Sequence, residues 1–155
     1  MERVLRNRRI SASQWAMRLA ELTSLRSTCA RRAVGCVILD RFNRVIATGY
    51  NGTPRGKPHC IDSNCEGINY GPGKGLHLCE AIHAEQNALM QCQDVLQELV
   101  VYTTTFPCEH CFKMLLNTGM RELNYISDYV TGPELRAANS HINFVLWAPT
   151  LGGEV

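Results

Sequence analysis

From residue 11 to about residue 27, Trp15, Leu19, Leu22 and Leu25, with Ala16 and Met17 beside them, recur at roughly helical intervals. Ser11 or Ser13 is placed to cap that helix, and the spacing predicts one buried apolar stripe along it. Two short β-rich runs follow at 34–39 and 45–50, and the segment 40–44 between them has the polar character of a hairpin turn. They are expected to pair antiparallel.

From residue 51 to about 75 the periodicity disappears into Gly, Pro, Asn, Cys and His, which is long for a loop inside one domain. Apolar spacing resumes in a helix at about 82–93, a strand at 99–104, a helix at about 108–117 and a strand at 123–127. A short helix at 133–139, opened by Thr131 and Pro133, and a last strand at 143–147 complete the series. Strands separated by helices imply parallel neighbours with right-handed crossovers, added to the opening hairpin. The expected fold is α/β, a three-layer α/β/α sandwich on a mixed five-stranded sheet. At 155 residues and 45% apolar content the chain is expected to be a single domain, 1–155, with a Cys/His-rich insertion at about 52–79.

Charge narrows the function classes. Sixteen basic and fourteen acidic residues are interleaved, for a net +2, so no face is built to neutralise a nucleic-acid backbone, although a small anion is compatible. The arginine-rich segment 1–9 is not followed by a signal-length apolar stretch, and no run approaches a membrane span, so a cytoplasmic protein without a membrane partner is expected. In that reducing compartment eight cysteines point to metal ligation or burial before disulfides.

The spacing of His83-Ala84-Glu85 and Pro107-Cys108-Glu109-His110-Cys111 decides between those two. Cysteines three apart on a helix project from one face, so Cys108 and Cys111 can grip one ion at a helix N-terminus, where the dipole favours thiolates. Residues two apart on a regular helix point away from each other, which puts His83 in the first turn and Glu85 one step inside. Three protein ligands leave a fourth tetrahedral position for water, the pattern of catalytic zinc. Zinc can lower the pKa of bound water from about 15.7 toward about 7, and a carboxyl beside it can shuttle the proton. H-x-E followed by P-C-x-x-C is the signature of zinc nucleobase deaminases, in which hydroxide attacks the carbon bearing the exocyclic amine.

The chain resembles the deoxycytidylate deaminase family of bacteria and phages, within the cytidine deaminase-like fold, over about residues 13–147. The resemblance is carried by Leu25-Arg26-Ser27-Thr28-Cys29, Val34-Gly35, Gly49-Tyr50-Asn51-Gly52, His59-Cys60-Ile61-Asp62 and His83-Ala84-Glu85-Gln86-Asn87-Ala88. It implies hydrolysis of dCMP to dUMP and ammonia, a cytoplasmic homohexamer, activation by dCTP and inhibition by dTTP, with Mg2+ accompanying a triphosphate effector. It places Arg26, Asn51, Thr105, Phe106, Pro107 and Tyr129 at the substrate, and Gly49, Tyr50, Asn51 and Gly52 at the effector.

Cys29, Cys60, Cys65, His77 and Cys79 offer ligands for a second, structural zinc that would hold the long loop, because metal-binding free energy becomes folding free energy. The expected set is Cys29, Cys60 and Cys65 with either His77 or Cys79. His59 is a weaker candidate, Cys36 and Cys92 are expected as buried small hydrophobes, and His110 and His141 as ordinary polar residues. Two alternatives stand beside the nucleotide deaminase. One is a zinc deaminase of a transfer-RNA adenosine, a free nucleoside or a pterin; the other is a zinc-binding module without catalysis.

Overall fold

In the computed structural model of the protein, which describes residues 9–150, α1 (Ala12–Ser24) opens on the expected cap. The Gln14 N–H donates to Ser11 Oγ at 3.0 Å and the Gln14 side chain accepts from the Ser11 N–H at 3.0 Å. Most of the arginine-rich segment 1–9 lies outside the described residues. The helix ends at Ser24, three residues earlier than its spacing predicts, and its buried face is not the expected stripe. Ala16, Met17 and Ala20 are enclosed, whereas Trp15, Leu22 and Leu25 are 40%, 57% and 72% exposed. Close approach to β1 (Gly35–Asp40) accompanies the inversion: a Cβ at Gly35 would lie 2.0 Å from the Ala20 carbonyl oxygen, so the helix backbone meets the strand on the Ala16–Ala20 side, with Met17 buried beside it.

β1 pairs antiparallel with β2 (Val45–Tyr50) and with β3 (Leu99–Thr105). β4 (Met120–Ser127) and β5 (Asn143–Leu146) then add in parallel, giving the order β2-β1-β3-β4-β5. Every residue of β1 is buried because both faces of the sheet are covered. Val37 and Leu39 meet α1 with Val100 and Tyr102. Cys36, Ile38 and Val101 face the opposite core, with Ala84 and Ala88 of α2 (Ala84–Gln91) and Phe112 and Leu115 of α3 (Glu109–Leu116). Gly49 lets α2 lie directly on β2, since a Cβ there would sit 2.2 Å from the Ala84 carbonyl oxygen. α4 (Gly132–Ala138) connects β4 to β5.

The sheet topology gathers the chain at one edge. Because β1 runs against β2 and β3 while β4 runs with β3, the start of β1 and the ends of β2, β3 and β4 all meet there. The long segment after β2 also returns to this edge. It holds three short 3-10 turns, Cys60–Asp62, Glu66–Asn69 and Leu76–Leu78, and its neck is closed by Gly52 pairing with Ile82. Among the described residues no helix is long and apolar enough to cross a membrane.

Candidate metal centre and its cavity

His83 is the residue preceding α2 and Cys108 the one preceding α3, both in extended backbone, and Cys111 sits in the first turn of α3. The His83 backbone N–H donates to the Gln86 side chain at 2.8 Å, which fixes the turn that presents the imidazole. His83 Nδ1 lies 3.4 Å from Cys108 Sγ and 3.4 Å from Cys111 Sγ. A tetrahedral zinc with Zn–S of about 2.3 Å and Zn–N of about 2.0–2.1 Å separates such donors by roughly 3.5 Å, so these three residues fit the ion. Among the described residues they form the one group of three or more His, Cys, Asp or Glu ligand atoms that all lie within 4.8 Å of one another.

The two thiols divide their protonation. Hydrogen bonding from Cys111, and then from His83, brings Cys108 down to about 4, while Cys111 is pushed up by its hydrogen bond to Cys108 and by burial. His83 is raised, chiefly by its hydrogen bond to Cys108. Thiolate at a helix N-terminus is the form a metal takes. Glu85, in the first turn of α2, is 4% exposed; burial raises its carboxyl above the ordinary range, and it contacts the Cys111 thiol.

His83, Glu85 and Cys108 line a cavity of about 270 Å³ together with Asn51, Thr105, Phe106 and Tyr129, and Cys111 lies behind them outside the lining. Pro107 is buried in the turn between β3 and α3 and does not line it; Arg26 stands exposed beyond α1, also outside the lining. Arg31 and Arg32 do line it, and sequence reasoning passed over them although they are adjacent cations just before β1. Asn51 is nearly spent on the fold. Its Oδ1 accepts from Ser27 Oγ at 2.7 Å and from the Val34 N–H at 2.9 Å, and its Nδ2 donates to the Arg32 carbonyl at 2.7 Å. One N–H remains for a ligand.

Gly49, Tyr50 and Gly52 border a separate cavity of about 610 Å³ with Thr28, Thr53, Arg55, Lys57 and His59. Asn51 faces the metal centre instead. The buried hydroxyls of Thr28 and Thr53 have no hydrogen-bond partner among the described residues. In the long loop, burial pushes the Cys60 thiol up to about 11, helped by Cys65, Cys29 and Cys79 around it. His77 is exposed. Cys36 is buried in the sheet, Cys92 is half-buried against the same core, and His110 and His141 are exposed.

A histidine and two thiols at paired helix ends, over a buried glutamate on a mixed five-stranded sheet, define the cytidine deaminase-like class. Residues 10–127 match the family described as the cytidine and deoxycytidylate deaminase zinc-binding region, and the chain belongs to that family. It is 43% identical over 123 residues to the deoxycytidylate deaminase of Saccharomyces cerevisiae, covering 78% of this chain but 39% of that protein. The Mycobacterium phage D29 deoxycytidylate deaminase is 34% identical over 120 residues, covering 72% of this chain and 91% of the phage protein. The chain thus spans under half the length of its yeast relative and nearly all of a phage relative. The dCMP deaminase of cyanophage S-TIM5, solved in complex with dCMP and dUMP, superposes with a TM-score of 0.68 at 26% identity, covering 87% of this chain and 96% of that one.

Proposed function

We propose that this chain hydrolyses dCMP to dUMP and ammonia. The observation that carries the reading is Glu85, a carboxyl shut away from solvent beside three convergent metal donors in a nucleotide-sized cavity. A purely structural zinc has no use for such an acid. Zinc bound by His83, Cys108 and Cys111 would supply the Lewis acidity that makes water a nucleophile at neutral pH. Glu85 does the proton work. Its raised proton affinity suits it to take a proton from the attacking water, deliver it to N3 of the pyrimidine and pass one to the departing amine. Thr105, Phe106 and Tyr129 wall the base and sugar, and the remaining Asn51 N–H donates to the substrate.

The relatives named deoxycytidylate deaminase, and a neighbour that holds dCMP and dUMP, support this substrate over a nucleoside, a pterin or a transfer-RNA adenosine. The balanced charge, net +2, also disfavours an RNA partner. Purified zinc-loaded protein incubated with dCMP should show the ultraviolet change of conversion to dUMP. Addition of dCTP should steepen or shift the rate curve against dCMP, and dTTP should suppress it. No conversion with zinc and dCTP both present would reject the reading.

The effector reading rests on the cavity beside Gly49, Tyr50 and Gly52, lined also by Arg55, Lys57 and His59 and by two hydroxyls without a partner among the described residues, which a triphosphate with Mg2+ would satisfy. A second zinc on Cys29, Cys60, Cys65 and Cys79 would draw together thiols that already influence Cys60, although no three of their sulfurs lie within 4.8 Å of one another, and the exposure of His77 favours Cys79 as the fourth ligand. Cytoplasmic conditions suit such ligands because thiolates must stay reduced. The outward apolar residues Trp15, Leu22 and Leu25 suit a subunit contact in a homohexamer.

A further inference from the structure

Arg31 and Arg32 are neighbours in sequence and line the same cavity, yet their guanidinium groups are committed very differently. Arg31 Nη2 donates to the carbonyls of Tyr70 at 3.1 Å, Gly71 at 2.9 Å and Lys74 at 3.0 Å. It therefore holds the stretch 70–74, which carries Tyr70, Pro72 and Gly73 into the cavity wall. Only Nη2 is spent in this way, but the clamp fixes the plane of the guanidinium, and turning that plane toward a ligand would break the bonds to all three carbonyls. Arg32 has no such commitment: its side chain is exposed and makes no hydrogen bond or ion pair among the described residues. Its backbone is nevertheless fixed, because its carbonyl accepts from the buried Asn51 amide at 2.7 Å. Of the residues lining the cavity, Glu85 alone is acidic, and it sits with the metal donors, so the rim carries a positive bias with no carboxylate to satisfy it.

We propose that Arg32 anchors the 5′-phosphate of the substrate, so that this residue sets the preference for a mononucleotide over the bare nucleoside, while Arg31 is a positioning residue that holds the wall beside it. The inference deepens the deaminase reading and rests on it. A free guanidinium on a fixed backbone presents a planar fork of donors to phosphate without first breaking a pair. Tyr129 lines the same cavity, and its hydroxyl lies 3.6 Å from where a Cβ on Gly73 would stand, so it adjoins the stretch that Arg31 holds.

The test compares dCMP with deoxycytidine, which lacks the phosphate, in steady-state kinetics. Arg32→Ala should raise KM for dCMP by about 10- to 100-fold with kcat largely kept, and should collapse the preference for dCMP over deoxycytidine; Arg32→Lys should recover part of it. Arg31→Ala should instead speed amide exchange of residues 70–74 and weaken both substrates alike. An unchanged dCMP preference in Arg32→Ala, or its selective loss in Arg31→Ala, overturns the assignment. If the wild type deaminates neither compound, the deaminase reading fails, and calorimetric binding of dUMP against deoxyuridine judges Arg32 separately. A dUMP advantage lost in Arg32→Ala then supports the anchor, and equal binding in wild type and variant removes it.

Discussion

Glu85 and the metal donors can be separated by one atom. Glu85→Gln keeps the size of the side chain and its contact with Cys111, and leaves His83, Cys108 and Cys111 untouched, but an amide cannot carry a proton between water and the base. The expected outcome is an unchanged zinc content by atomic absorption with kcat reduced by about 10²- to 10⁴-fold. Retained activity would remove Glu85 from the mechanism, and lost zinc would make it part of the metal site. The donors were legible in the sequence because three-residue spacing on a helix is rigid geometry. The difference between Arg31 and Arg32 was not, because the clamp on Arg31 depends on carbonyls about forty positions away, and no local pattern encodes that pairing.

Between β4 and α4, Arg136 forks onto Asp128, with Nη1 to Oδ1 and Nη2 to Oδ2 both at 2.8 Å, while its guanidinium lies 5.1 Å from the centre of the Phe106 ring and 5.2 Å from that of Tyr125. The helix is thereby tied to the aromatic wall of the cavity. The Arg136 hydrogen bonds hold the Asp128 carboxyl below its usual value. A carboxyl depressed on folding contributes stability that is fully present above its unfolded pKa, about 3.9, and is lost as pH falls through the lower folded value. The melting-temperature gap between wild type and Asp128→Asn should therefore stay level from pH 8 to about 5 and narrow below that; a gap that widens in acid would contradict the fork. In α1 the apolar pattern leaves the buried face open. Its helical period and cap were visible, but two apolar rows lie side by side on it, Trp15-Leu22 and Ala16-Met17-Ala20, and size alone favours the wrong one. Gly35 across the interface lets the helix backbone approach on the Ala20 side, and no pattern within the helix itself records that contact.

Across the whole molecule, the stretch from Thr53 to Glu80 is the part the core does not hold, since only Cys60 and Gly67 within it are buried. An ordered segment of that length without apolar burial has little to offset its conformational entropy. The Arg31 clamp and the exposed Lys57–Glu80 ion pair at 2.7 Å contribute only modestly. Cys60 and Cys65 lie within the loop, Cys79 at its far end and Cys29 ahead of β1, so one ion on these four would fasten the loop both to itself and to the sheet edge. Metal ligation is strong enough for the task, at about 10–16 kcal/mol for small structural zinc sites. Native protein should then carry two zinc ions per chain. Cys65→Ser should carry one, melt at lower temperature, and be cut by protease within 53–80 while the sheet survives. The catalytic donors belong to α2 and α3, whose packing on the sheet does not pass through the loop, so the remaining ion should be the one held by His83, Cys108 and Cys111. Two ions retained in Cys65→Ser, or one in the wild type, would show that the loop is held without a metal and that the thiols around Cys60 are only neighbours.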